Sequence, residues 1–255
     1  MTTPRSAIYG WVPDLPDQRD HLFSAAPSTT PLPAKVDLRA QCPPAIYDQG
    51  QLGSCTANAI GSGFEYNLIR HGLEIFTPSR LFIYYNERVI LGTVDSDSGA
   101  MIRDGIKSVT KQGVCPESDW RYDITRFTEK PPASCYETAL RHRVTAYKRV
   151  PQTLRQLKSC LAQGYPIVFG FSVYESFESP EVSHTGTVPM PRVDSEQMLG
   201  GHAVLCVGYD DESMRFLVRN SWGEHWGDGG YFTMPYPYLT DSTLSRDFWM
   251  MTQTT

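Results

Sequence analysis

No apolar run in this 255-residue chain approaches the roughly 18 residues that a membrane span needs. The first residues, MTTPRSAIYGW, contain no apolar stretch of the kind a secretory signal requires. A cytoplasmic location, or export by a route without a readable signal, is therefore expected. Charge of either sign is not in large excess: 23 basic against 28 acidic residues leave a net charge of −5. That mild balance argues against nucleic-acid and anionic-membrane partners, which favour a basic face. The six cysteines (Cys42, Cys55, Cys115, Cys135, Cys160 and Cys206) include no CxxC or other metal-ligand spacing. His21, His71, His142 and His184 have no acidic or cysteine partner at ligand spacing. No metal and no cofactor are expected. Internal repeats and low-complexity tracts are missing too.

What is there is ordinary globular composition, 40% hydrophobic and 20% charged, in a chain long enough to bury a core without staples. Cys160, in TLRQLKSCLAQ, and Cys206, in HAVLCVGY, read as core thiols. Few or no disulfides are expected, with one pair among Cys42, Cys115 and Cys135 left open. Residues 1–36 are loop-like and proline-rich, with SAAPSTTPLP as a linker. Yet Ile8, Tyr9, Trp11, Val12, Leu15, Leu22 and Phe23 are too apolar for a solvated tail, so this arm is expected to pack on something.

Residues 56–71 place Ile60, Phe64 and Leu68 on one helical face. Gly61 and Gly63 each cost about 1 kcal/mol inside a helix, which makes sense if something packs very close. The segment reads as a central buried helix. A second helix is expected over 78–91, opened by Pro78 and Ser79, and a third over 99–112. Residues 113–140 look irregular. The period then changes: a strand over 141–150, a short helix over 153–163, and β-rich runs YPIVFGFSV, HAVLCVGYD, RFLVRN and GYFTM. Helices first and strands second predict an α+β protein of two lobes. Residues 174–197 read as a mobile loop before His202, Asp210-Asp211-Glu212 as a solvated hairpin turn, and His225 as exposed.

The stretch DQGQLGSCTANAIG puts Cys55 after a glycine-rich turn and at the start of the first helix. A helix N-terminus carries about half a positive charge and several unpaired N–H groups, which stabilise a thiolate, the nucleophilic form. The plain alternative is a small buried hydrophobe. A thiolate needs a proton acceptor, and His202 follows two glycines at the head of an apolar strand in LGGHAVLCVGYD. A histidine base needs its ring held. Asn220, at the end of the next strand in VRNSWGEHWGDGGYF, offers an amide carbonyl, and Trp222 offers a shield from water. Alone, each of these residues reads as well as a structural one.

Together and in this order they resemble the papain family (C1) of cysteine peptidases, in particular its small bacterial members. The resemblance rests on Gln49-Gly50-x-x-Gly53-Ser54-Cys55, Gly201-His202-Ala203, Asn220-Ser221-Trp222-Gly223, Trp226-Gly227 and Gly229-Gly230-Tyr231. Val36-Asp37-Leu38-Arg39 resembles the family's mature start, and the likeness covers about residues 33–250. His202 falls in the family's window of about 130–150 residues after the cysteine, and Asn220 somewhat beyond it. The resemblance implies a two-lobed fold, a helical left lobe (about 33–140) and a β-barrel-like right lobe (about 141–255), with the cleft between them. It implies Cys55 as nucleophile, His202 as general base and acid, Asn220 as its orienter and Gln49 as an oxyanion-hole donor. Gly53, Ser54, Ser98, Gly99, Gly201 and Trp222 are the implied substrate-side residues. Ser98 stands where the family has a glycine. The implied partners are protein or peptide substrates of a monomeric enzyme.

Two departures bear on function. Leu52 replaces a cysteine that usually forms a disulfide, and Thr56 replaces an aromatic. Only about 32 residues precede the mature-like start, against a helical prosegment of about a hundred in larger relatives. Residues 1–32 are expected to act as a short prosegment that covers the cleft, anchored by Tyr9, Trp11 and Leu15; packing elsewhere for stability is the alternative. Two rival functions are an amidase or acyltransferase on the same fold, and a non-catalytic peptide-binding module.

Overall fold

Helix α1 (Cys55–His71) runs through the middle of the molecule, buried at every residue from Cys55 to Leu68. Its buried Asn58, Glu65 and Asn67 show that position, not uniform apolarity, makes this a core helix, and small residues let its neighbours come close. A Cβ on Gly63 would lie 2.6 Å from Met251 Cε, and one on Gly105 would lie 2.3 Å from Ile60 Cδ1. The computed structural model describes residues 8–25 and 31–254. The first seven residues and the middle of the expected linker lie outside the described residues.

Against one side of α1 pack α2 (Arg80–Leu91) and α3 (Ile102–Lys111). Ser79 caps α2 by accepting from Phe82 N–H, and Gly92 ends it in the left-handed region. The third helix starts at Ile102, later than expected, because Ala100 bridges to the N-terminal arm. Helix α4 (Ala133–Ala139) interrupts the segment expected to be irregular; seven residues are too few to show a period.

The other side of α1 faces an antiparallel sheet of β2 (Val144–Arg149), β3 (Ile167–Tyr174), β4 (Met198–Asp210), β5 (Arg215–Arg219), β6 (Tyr231–Pro235) and β7 (Ser245–Thr254), in the order β2-β7-β3-β4-β5-β6. Helix α5 (Leu154–Ala162) packs on β3 and β4. A short strand β1 (Lys35–Asp37) pairs with the far end of β4, so the mature-like start joins the sheet. Gly208 permits this: a Cβ there would sit 2.2 Å from Val36 O. Strand β7 has no counterpart among the expected strands, although its buried Phe248-Trp249-Met250-Met251 run carries the signal.

The barrel-like right lobe is corrected by the strand order: the sheet is open, with β2 and β6 at its edges. Each edge is met by loop backbone instead of by the other. Phe23 N–H bonds to Arg149 O at β2 (2.7 Å), and Val188 N–H to Thr233 O at β6 (3.0 Å). Such cover satisfies an edge without closing the sheet. The segment 174–197 holds a 3-10 turn (Glu175–Glu178) and α6 (Pro180–Thr185), capped by Ser179. Helix α7 (Tyr236–Thr240) follows β6. All six cysteines are buried free thiols.

Gly208→Ala is expected to push β1 from β4 and destabilise the protein by about 1–3 kcal/mol, read from the urea midpoint. An unchanged midpoint would show that β1 is held by other contacts.

Candidate active site

The turn before α1 is set by backbone freedom and one carboxylate. Gly50 has φ 62°, and its N–H bonds to Asp48 Oδ1 at 2.9 Å. Gly53 N–H points into the Asp97 carboxylate, 3.1 and 3.0 Å from its two oxygens. Cys55 then opens α1, fully buried. Burial pushes its thiol up to about 12; backbone hydrogen bonding from Ala203, Gly10 and Thr56 offsets part of that rise.

His202 lies on β4 and Asn220 just after β5. The antiparallel pairing of Leu205 with Arg219 brings them side by side. His202 Nε2 is 2.8 Å from Asn220 Oδ1, and that same oxygen accepts from Ser221 N–H at 2.9 Å. An oxygen already serving as acceptor requires the proton on Nε2, leaving Nδ1 as the basic nitrogen. Among the described residues, Nδ1 has no hydrogen-bond partner. Burial lowers the imidazole to about 4, with the Asn220 bond opposing. Trp222 stacks on the ring (centroids 5.0 Å apart, planes 28° apart).

Gln49 is buried against both neighbouring segments. Its Oε1 accepts from Ser221 Oγ at 2.7 Å, which fixes the amide so that Nε2 faces Leu52 O (3.0 Å) and Ile8 O (3.3 Å). Ser221 stands in the motif on which the family resemblance rests, but is given no role of its own there.

Ile8 belongs to the N-terminal arm, which runs over this site. Ala100 N–H bonds to Gly10 O (2.8 Å), Val12 N–H to Ala100 O (2.9 Å) and Trp11 N–H to Gly201 O (2.9 Å). Gly10 passes so near the nucleophile turn that a Cβ on it would lie 1.7 Å from Gly53 O. The Trp11 indole fills a hole in the sheet: a Cβ on Gly170 would fall 2.0 Å from its ring, and one on Gly201 2.7 Å from it. Tyr9 packs 6.2 Å from the His202 ring and donates its hydroxyl to Glu178.

Of the substrate-side residues named from sequence, Gly53, Gly99 and Gly201 lie against the arm. Ser54 directs its hydroxyl away, to Tyr122 (2.5 Å) and Asn58 (3.0 Å). Ser98 Oγ bonds to Thr93 Oγ1 (2.7 Å) on the exposed side. Ala100, not Ser98, makes the paired backbone bonds. Trp222 shields His202. Gly170 was missed, although a glycine inside the run VFGFSV signals close approach. The described residues contain no cluster able to hold a metal.

A helix-initial cysteine beside a histidine-bearing strand, with helices on one side and an antiparallel sheet on the other, defines a cysteine-type peptidase of papain-like fold. The chain belongs to the papain family: the model for papain family cysteine proteases matches residues 32–242. Xylellain, a cysteine protease from Xylella fastidiosa, is 46% identical, with 96% of each chain covered and a TM-score of 0.89. An uncharacterized peptidase C1-like protein of Acanthamoeba polyphaga mimivirus is 43% identical over 279 aligned residues, covering all of this chain and 89% of that one. A procathepsin B from Trypanosoma congolense shares the fold at 19% identity, with a TM-score of 0.77 over 97% of this chain and 87% of that one.

Gly170→Val leaves no room for the Trp11 indole, so the Cys55 thiol is expected to react with iodoacetamide at least about tenfold faster in that variant. Equal rates, read by mass spectrometry of the labelled cysteines, would show that the indole does not control access.

Proposed function

We propose that this papain-family protease is a thiol endopeptidase that works through Cys55, His202, Asn220 and Gln49, and that its N-terminal arm blocks the site. Residues 1–32 are the arm and 33–255 the peptidase domain. The observation that carries this reading is the arm's backbone lying on the catalytic groups: Gly10 runs against the turn before Cys55, where a Cβ on it would lie 1.7 Å from Gly53 O, and Ile8 O takes the Gln49 amide. Procathepsins of the same fold, which carry propeptides, agree with it.

With the arm released, the thiol proton passes to His202 Nδ1, and the sulfur attacks the scissile carbonyl. Gln49 Nε2 and the Cys55 N–H donate to the oxyanion, an effect worth about 10²–10³ in rate per donor. His202 returns the proton to the leaving amine, releasing the first product and leaving a thioester. Water, deprotonated by His202, hydrolyses it. Asn220 holds the Nε2–H tautomer throughout, and Trp222 keeps water from that bond.

Cys55→Ala is expected to abolish hydrolysis of a fluorogenic peptide with the melting temperature kept. Turnover near that of the parent would mean a different nucleophile. Gln49→Ala is expected to lower kcat about 10²-fold, and Asn220→Ala less. Deleting residues 1–32 is expected to raise activity. Because Trp11 and Phe23 are buried in the core, full-length Trp11→Ala is the companion test. Activity unchanged or lower in both would assign the arm a purely structural role.

The arm's anchorage is pH-dependent. Asp14 N–H bonds to Asp247 Oδ2 (2.8 Å), while the Asp14 carboxylate accepts from Arg103 N–H and Trp249 Nε1. Arg103 pairs with Asp20 (2.6 Å), and Arg149 with Asp20 (3.2 Å) and Asp247 (3.4 Å). Burial, and for Asp247 the nearby Asp14 charge, raise both carboxyls, Asp247 to about 6. Releasing the arm lets both fall toward the ordinary value near 4. The docked state thus binds more protons, so docking is fully favoured below about pH 4 and weakens as pH rises through about 6. The dyad adds no net term, since opening moves a proton from Cys55 to His202. Cys55 alkylation is therefore expected to rise more steeply between pH 5 and 7 in the parent than in Asp247→Asn. Asparagine suits the left-handed backbone there (φ 58°). Parallel profiles would remove Asp247 from the latch.

A further inference from the structure

Asp97, in the loop between α2 and α3, touches both parts of the cleft wall that the helical side supplies. One part is the nucleophile turn: both carboxylate oxygens receive Gly53 N–H, at 3.1 and 3.0 Å. The fit is close, since a Cβ on Gly53 would lie 3.0 Å from Asp97 Oδ1. The other part is the glycine loop. Tyr84, on α2, donates its hydroxyl to Asp97 Oδ1, and its oxygen accepts Gly99 N–H at 3.2 Å. The next residue, Ala100, holds the arm's backbone through two hydrogen bonds. Behind them the buried Arg88 guanidinium lies 4.1 Å from the Tyr84 ring and donates to Val94 O (2.8 Å) and Ser96 O (3.1 Å) of the same loop.

No disulfide ties the turn to the loop: residue 52 is a leucine, and all six cysteines are free thiols. A turn and a loop that must keep register while an extended chain binds need a cross-link, and the charge-assisted bonds of a carboxylate are the strong kind available.

We propose that Asp97 is a positioning residue for peptide hydrolysis, locking the turn that presents Cys55 to the loop that takes the substrate strand, with Tyr84 as the relay. This rests on the catalytic reading above. The tie works without an oxidant, so the cleft wall keeps its geometry in a reducing medium. Asp97 acts at a distance from the scissile bond, through the Gly53 and Gly99 backbone.

The test uses the full-length chain opened by Trp11→Ala. It reads kcat and KM on a fluorogenic peptide, Cys55 alkylation by iodoacetamide, which is too small to use the loop, and the melting temperature. Tyr84→Phe removes one oxygen and so cuts only the loop side. Its KM is expected to rise about three- to tenfold, with kcat and alkylation within twofold of the parent. Asp97→Asn keeps one acceptor oxygen but removes the second, and with it the charge that strengthens the bonds from Gly53 and Tyr84. It is expected to lose about 10- to 100-fold in kcat/KM and to change the alkylation rate as well. A Tyr84→Phe KM equal to the parent's overturns the proposal. So does an Asp97→Asn protein whose melting temperature falls while kcat, KM and alkylation hold. If Asp97→Asn does not fold, Tyr84→Phe decides. Turnover that survives Cys55→Ala would sink the catalytic reading instead, and the Tyr84→Phe shift in KM is read separately from it.

Discussion

The approach of the α1 N-terminus to strand β4 is the constraint on which the rest of the molecule depends. Cys55 is the first helical residue, and α1 packs directly on β4, the strand that carries His202. That contact joins the helices to the sheet at the one place where the chemistry is proposed to occur. It requires small residues along the seam, which is why Gly63 sits where a methyl group would lie 2.6 Å from Met251 Cε and 3.5 Å from Leu205 Cδ1 of the sheet. The sheet that lies along the helix is open, with its edges met by loop backbone near residues 23 and 188. Register then does the remaining placement, since β5 beside β4 puts Asn220 next to His202 with no further device.

Much of this was legible in the residues, for identifiable reasons. Cys55 begins α1 and Asn220 directly follows β5; His202 is the fifth residue of β4, not its head as expected, but the glycine pair before it still marks it in the sequence. The helices α1 and α2 are long and carry clear start and stop signals, Ser79 and Gly92 among them. The resemblance to the papain family supplied what spacing alone did not, the role of Gln49 above all. Less legible were features that exist only after folding. Strand β7 lies between β2 and β3, far from both in sequence. Ala100 in place of Ser98 at the backbone pair follows from where the loop turns. The short helices α4 and α6 have too few residues to announce themselves. The barrel expected for the second half failed because edge cover by residues near 23 and 188 is a tertiary fact.

Charge in this protein is arranged by cover more than by pairing at the surface. With the arm in place, burial pushes the thiol up and the imidazole down, so cover favours the uncharged form of each. An ion pair at the same place would need solvent or a polar substrate to stabilise it. Displacement of the arm and polarisation of the dyad are thus two descriptions of one event in the proposed mechanism.

The arm is also mortar. Trp11 is part of the hydrophobic cluster around α1, and Phe23 part of the cluster across the sheet. Burying aromatic rings of this size is worth on the order of 2–3 kcal/mol each, a substantial share of a typical domain's margin. A chain that shed them, as the proposed release of the arm requires, would lose cohesion in both halves at once, and its open form would be the shorter-lived one. Stored and working protein would then differ in lifespan as well as in access, with no separate timer required.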